Sequence, residues 1–388
     1  MLNDIRLFMR KIVFIIYYFL LRIIIPWKYD YSFYHGELSY LTKEEFFVWK
    51  QAMIKLLKEY CFAGYNARIR QLIFAFSNSK IEVVRKTNVW SEDIPIVVLC
   101  VKNDLARIQM LVDHYRSLGI KKFAFLDNGS DDGTFEWLLN QPEIDLFRCY
   151  EPYKTLVKEG WINRVISYYG FNRWYILTDS DELVVYRDME KHSIPDVVQY
   201  AKRQGLKRIK GLTLDIYPNN AIFQNNINIK KIYRWIDTDS YEEIDSMRGN
   251  QKVKIFIGGP RYRLMNVIIT LSKFPLVYFE PGTISDSAHY QFPHELINCS
   301  PCNFGILHYK FIDKDLKEYI KRSQRNSGFS SNGKYYKRYL NYIKDHGDES
   351  FMYEGSREFT NSEILDEIML IQSINFDSEC APKWTDVI

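Results

Sequence analysis

An α/β fold with a mostly parallel sheet is predicted by three apolar runs that each stop in polar residues. Residues 95–101 (PIVVLCV) form a continuous apolar stretch, the mark of a strand buried on both faces, and they end in Lys102, Asn103 and Asp104. Residues 122–126 form a second run ending in Asp127, and a glycine-bearing turn, DNGSDDGT, follows at 127–134. Residues 174–178 (WYILT) form a third, cut off by Asp179, Ser180, Asp181 and Glu182 before apolar residues resume at 183–186. Between the first two runs, Ile108, Leu111, Val112 and Tyr115 recur at helical spacing, and Gly119 closes the pattern. Strand, helix, strand, turn and a further helix near Phe135 make a βαβ opening.

The chain has 388 residues, 47% of them hydrophobic, with 29 Tyr, 25 Phe and 8 Trp. That suffices for a large core in one big domain with additions, or two domains. A net charge of +4 gives no overall field for nucleic acid, and no nucleic-acid partner is expected. Six scattered cysteines do not make a disulfide framework and suit a reducing compartment. Cys299 and Cys302 form a CxxC near His289, His294 and His308, but without a second pair ordinary thiols are the better reading than zinc.

Residues 1–30 stand apart. Residues 12–21 (IVFIIYYFLL) are apolar throughout, Arg22 interrupts, and Arg10, Lys11 and Lys28 flank the segment. Ten uninterrupted residues are fewer than the roughly 20 of an ordinary membrane span. With no small-residue cleavage site, the reading is a hydrophobic helix on a membrane surface, its basic residues toward anionic headgroups. The expected location is the cytoplasmic face of the cell membrane. Residues 31–93 read as a helical prelude, with Phe46, Phe47, Trp49, Met53, Leu56 and Leu57 on one side and no visible chemistry.

Chemistry concentrates at the strand ends. Gly129 and Gly133 permit backbone conformations that a side chain would forbid. Asp127 ends a strand where a carboxylate can accept hydrogen bonds from a base or ribose, whereas Asp131 and Asp132 suit helix capping. The acids of residues 179–182 follow a buried strand, where open α/β sheets bind ligands. Two of them separated by one residue can hold a hard divalent cation together with substrate phosphates.

Taken together, VKND, LDNGSDDGT and ILTDSDE resemble the family 2 glycosyltransferases of GT-A fold. More narrowly they are similar to a bacterial subgroup whose acidic motif reads DxDE after a Trp-containing strand. GGPRYRLM (258–265), SKFPLVYF (272–279), SAHY (287–290) and ILHYKF (306–311) follow in that subgroup's order. The resemblance covers residues 94–312. It implies a three-layer α/β/α domain there, with residues 313–388 as a helical C-terminal extension. It also implies Asn103 and Asp104 beside the nucleotide, Asp127 on base or ribose, and Asp179 nearer the ribose. Asp181, with Asp179, would hold Mn2+ or Mg2+, His308 would complete the metal site, and Lys310 would meet a phosphate. A histidine ligand favours Mn2+.

The activity implied is inverting transfer from a nucleotide sugar, a UDP-sugar first among them, to a glycan or lipid-linked acceptor in cell-surface polysaccharide synthesis. Such a reaction needs a general base, for which Asp215 stands first, with Glu182 and Asp286 as further candidates. Residues 219–250, rich in Asn, Asp and Ser, read as a long loop over the acceptor, and Arg261 and Arg263 as possible phosphate contacts. The basic, tyrosine-rich stretch 315–344 reads as an amphipathic helical tail. Two rival functions remain at this stage: a Mg2+-dependent nucleotidyl- or phosphotransferase, and a non-catalytic membrane-associated binding module.

Overall fold

The computed structural model describes residues 94–378, except 221–227, 250, 313–314, 325–332 and 348, together with residues 44, 47–48, 51–56, 72, 75–76 and 78–87. The expected hydrophobic segment at residues 1–30 and most of the prelude lie outside the described residues. Among those described, no helix is long and apolar enough to cross a membrane.

The described residues form fifteen strands: β1 (Glu82–Arg85), β2 (Ile96–Val101), β3 (Phe123–Asp127), β4 (Ile144–Arg148), β5 (Arg173–Leu177), β6 (Glu182–Val185), β7 (Arg208–Asp215), β8 (Trp235–Asp237), β9 (Tyr241–Arg248), β10 (Gln251–Gly258), β11 (Ser272–Phe279), β12 (Ile284–Ser285), β13 (Gln291–Phe292), β14 (Cys302–His308) and β15 (Ser356–Glu358). From residue 94 onward the described α-helices are α1 (Leu105–Ser117), α2 (Thr134–Leu139), α3 (Thr155–Ser167), α4 (Ile194–Arg203), α5 (Ile229–Ile232), α6 (Gly259–Met265), α7 (Asp315–Ser323) and α8 (Lys334–His346).

Nine strands make one sheet in the order β1-β4-β3-β2-β5-β11-β7-β14-β6. Strands β2, β3, β4, β5, β7 and β14 run one way, and β1, β6 and β11 the other. The sheet is therefore mixed but mostly parallel, and helices cover both faces. Alternate residues of each strand point to opposite faces. Val97, Leu99, Phe123, Phe125 and Ile176 join α1 and α4 in one core. Val98, Ala124, Leu126 and Tyr175 join Trp161, Ile162, Val165 and Ile166 of α3 in the other.

The first four strand and helix expectations between residues 95 and 186 fall on β2, α1, β3 and α2, and Gly119, Gly129 and Gly133 all have positive φ (85°, 74° and 89°). Residues 219–250 differ from expectation. They include α5, β8 and β9, and β9 pairs with the following strand β10 along eight register positions as a two-stranded arm. Its polar composition reflects a ribbon wetted on much of its surface. The segment beyond residue 312 joins the main core through Leu365, Ile368, Ile371 and Ile374, and β15 pairs with β8.

His114 of α1 meets the carbonyl of Val184 on β6 at 2.7 Å, pinning the helix to the edge strand. Burial, with Lys230 nearby, lowers its pKa from 6.5 to about 4, against the pull of the Val184 hydrogen bond. A histidine whose folded pKa is depressed stabilises the fold fully above its unfolded pKa. That stability is lost as pH falls from 6.5 towards 4, because the unfolded chain then binds more protons. Urea unfolding should show a loss approaching about 3 kcal/mol from this residue over that window. The His114→Gln variant should lack that increment of pH dependence.

Candidate active site

The six co-directional strands deliver their carboxyl ends to one edge of the sheet, and the antiparallel strands β1, β6 and β11 begin there. Asn103 and Asp104 follow β2, Asp127 ends β3, Asp179 and Asp181 follow β5, and Asp215 and His308 end β7 and β14. Glu182 opens β6, and Lys273 lies at the start of β11. This is the edge at which open α/β sheets bind ligands.

At its centre stands His308. Register places it beside Asp215 on β7 and Glu182 on β6. Its Nδ1 lies 2.7 Å from Asp215 Oδ1 and its Nε2 3.3 Å from Asp181 Oδ2. Asp215 in turn accepts from Arg261 Nε through its other oxygen, at 2.6 Å. Arg261 is delivered by α6, whose preceding residue Gly258 has φ 122°. A Cβ there would sit 2.0 Å from the Ser240 carbonyl, so only glycine allows this close approach.

The electrostatics follow from these contacts. Burial pushes the Asp181 carboxyl up, but the His308 ring, with Lys310 and Arg107 beyond it, holds it well below the usual carboxylate range. For Asp215, burial is likewise overcome, by Arg261 and then His308, and its pKa falls to about 2. Burial opposes charge on His308, yet Asp181 and Asp215 raise its pKa above the ordinary value.

The acids of residues 179–182 are sorted to two sides. Asp179 takes Lys158 of α3 at 2.8 Å on one oxygen and Lys273 at 3.0 Å on the other. Lys273 also donates to Glu182 at 2.6 Å. Burial works against the charged forms of Asp179 and both lysines, but their mutual attraction prevails. It holds the acid well below and the lysines above their usual ranges. Asp181 faces the other way, towards His308, and its carbonyl accepts from the Tyr309 amide at 2.8 Å. Ser180 donates its hydroxyl to Asp104, and Arg107 bridges Asp104 and Asp315, which ties the turn to α1 and α7. Lys310 lies among Asp181, Tyr336 and Tyr339, with Nζ 5.9 Å from the Tyr336 ring.

Other residues singled out from the sequence are engaged elsewhere. Asp127 is fully buried, and its carboxylate accepts from the Gly129 and Ser130 amides at 3.0 and 3.1 Å, with Arg148 at 3.3 Å. It holds the DNGSDDGT turn together instead of facing open space. Asn103, with φ 53°, exchanges two hydrogen bonds with Asp131, at 2.7 and 2.8 Å, and so joins the first two strand-end loops. Asp132, one residue before the Gly133 N-cap of α2, accepts from Thr134 N at 3.0 Å. Asp286 pairs with His294 at 2.9 Å, apart from the Asp181–His308 group. Arg261 and Arg263 are committed to Asp215 and Asp237. Cys299 is exposed and Cys302 buried, and neither belongs to a metal-binding cluster among the described residues.

Those described residues hold one group with ligand atoms mutually within 4.8 Å: Asp181, Glu182 and His308. The donor set suits a divalent ion. A metal-binding histidine characteristically donates its other ring N–H to a carboxylate, and Asp215 stands at that position. Lys158 and Lys273 were not found from the sequence. The available signal was a lysine inside an otherwise apolar strand, SKFPLVYF, and another on a helix beside buried Trp161.

No family model and no curated protein matches the chain. Among solved structures it is similar to HddC from Yersinia pseudotuberculosis, at 11% identity and a TM-score of 0.24, over 34% of this chain and 65% of that one. It is also similar to the mannosyltransferase PcManGT from Pyrobaculum calidifontis in complex with GDP-Man and Mn2+. That match has 14% identity and a TM-score of 0.24, over 42% of this chain and 47% of that one. The chain spans less than two thirds of either protein's length. Likeness at this level leaves the site to be read from its own residues.

Proposed function

We propose that the chain is a GT-A-like, metal-dependent glycosyltransferase that moves a sugar from a nucleotide-sugar donor to a glycan or lipid-linked acceptor. The observation that carries this reading is the chain of contacts Asp181–His308–Asp215–Arg261 at the carboxyl edge of the sheet.

Asp181 and His308 Nε2 would hold the divalent ion, Mn2+ in preference to Mg2+ because one donor is an imidazole. When bound, it supplies Lewis-acid stabilisation of the diphosphate leaving group. Asp215 accepts the Nδ1–H of His308, which leaves the Nε2 lone pair free to ligate, and Arg261 keeps Asp215 ionised in its buried position. Lys310 adds positive charge beside Asp181, where charge on a leaving diphosphate would develop.

The three candidate bases all have internal partners: Asp215 with His308 and Arg261, Glu182 with Lys273, and Asp286 with His294. Positioning roles fit them better than proton abstraction from an acceptor. The nucleotidyl- or phosphotransferase alternative predicts transfer of the nucleotide or a phosphoryl group rather than the sugar. Attachment at the cytoplasmic membrane face is proposed from residues 12–27 by their sequence alone.

The reading is tested by incubating the protein with UDP-, GDP- and CMP-sugars and Mn2+, then separating the products by mass spectrometry. Release of UDP, GDP or CMP with free or transferred sugar, abolished by EDTA, supports it. Transfer of nucleotide or phosphate from the same donors contradicts it.

A further inference from the structure

Glu182 presents a puzzle of placement. Its carboxylate lies in the same 4.8 Å group as Asp181 and His308, and β6 and β14 place it directly opposite the histidine. It is nevertheless engaged by Lys273, whose Nζ is 2.6 Å away and whose side chain is 5% exposed. The same ammonium reaches Asp179 at 3.0 Å, and Lys158 reaches the other Asp179 oxygen at 2.8 Å. Lys158 also lies 3.4 Å from Glu159, so two ammonium groups are shared among three carboxylates in one cluster. Beside it, Asp181 and His308 are left facing each other.

Resting on the metal-site reading above, we infer that Lys273 withholds Glu182 from the divalent ion and fixes the number of protein ligands at two. The lysine supplies on the Glu182 side the positive charge that an ion would otherwise supply. An ion held by one carboxylate and one imidazole keeps most of its coordination positions for water and substrate phosphates, as such ions commonly do. Recruitment of Glu182 would raise the ligand charge and tighten the ion in the absence of donor. Lys273 is on this account a positioning residue that keeps the site open to a diphosphate.

The test is titration of the full chain with Mn2+ alone, following the free ion by its electron paramagnetic resonance signal, with no nucleotide present. The Lys273→Met variant is expected to bind Mn2+ about tenfold more tightly than the wild type. Lys273→Arg, which keeps a cation between the two acids, should stay near the wild-type affinity. Adding Glu182→Gln to Lys273→Met should abolish the gain. Tightened binding cannot arise from a damaged fold, and Lys273→Gln serves where the methionine variant does not fold. Unchanged or weaker Mn2+ binding by a folded Lys273 variant overturns the inference. Asp181→Asn in the same titration reports separately on the metal site. If wild type and Asp181→Asn both fail to bind, the site reading falls and the inference with it.

Discussion

Replacing Asp181 with asparagine is expected to lower kcat/KM for sugar transfer by about 10³-fold, close to 4 kcal/mol of transition-state stabilisation. The substitution keeps the size of the side chain and removes the charge that faces His308. Binding of Mn2+ should be lost together with turnover. The fold should persist, because removing Asp181 leaves His308 with its second partner, Asp215. Asp215→Asn should do less to the metal, weakening it about 10- to 100-fold, since Asp215 would reach the ion only through the imidazole it orients. Equal losses in Asp215→Asn and Asp181→Asn would contradict the division of labour between ligand and positioning residue. Steady-state kinetics at several Mn2+ concentrations, with melting curves on the same samples, separate these outcomes.

Arg261→Met should be the most destabilising of the changes considered at the site, at about 3 to 5 kcal/mol. Both members of the pair are buried, with side chains 6% and 2% exposed, and the bond is 2.6 Å long. Without the guanidinium, Asp215 keeps its burial but loses the strongest of the attractions that bring its pKa to about 2. Removing both charges in Arg261→Met/Asp215→Leu should recover most of that loss, since the penalty comes from the orphaned charge rather than from the missing bond. It should not recover metal binding, because His308 Nδ1 then has no carboxylate. Urea unfolding monitored by fluorescence measures the first effect, and Mn2+ titration the second.

What the sequence revealed follows from how local each signal is. Strands β2, β3 and β5 are nearly pure apolar runs closed by polar residues, so burial on both faces is written into consecutive positions. Strand β4 (IDLFR) carries a buried Asp145, satisfied by Lys122 and Tyr169 at 2.6 Å each and by the Thr87 amide at 2.8 Å, and no local pattern announces those partners. Helix α3 was missed for the same reason, since Lys158, Glu159, Asn163 and Arg164 are all buried on it. Strand β9 lies within the stretch 219–250 whose Asn, Asp and Ser read as a loop, and its pairing with β10 is visible only across the turn.

The site divides along the same line. Asp181 and His308 stood out through motifs, each at the end of an apolar strand. Their meeting, 127 residues apart, depends on strand order, as do the bonds of Asp215 to His308 and Arg261. Lys158 and Lys273 neutralise Asp179 from a helix and a strand distant in the chain, so the inequality of the two aspartates in DSD is a tertiary property.

The central claim is most directly tested by calorimetric titration of UDP, GDP and CMP into the folded protein, with Mn2+ and with EDTA. The account predicts that one nucleotide binds in Mn2+, that its binding is lost in EDTA, and that Asp181→Asn behaves in Mn2+ as the wild type does in EDTA. Absence of binding by all three nucleotides in Mn2+, or binding indifferent to both metal and Asp181, would contradict it.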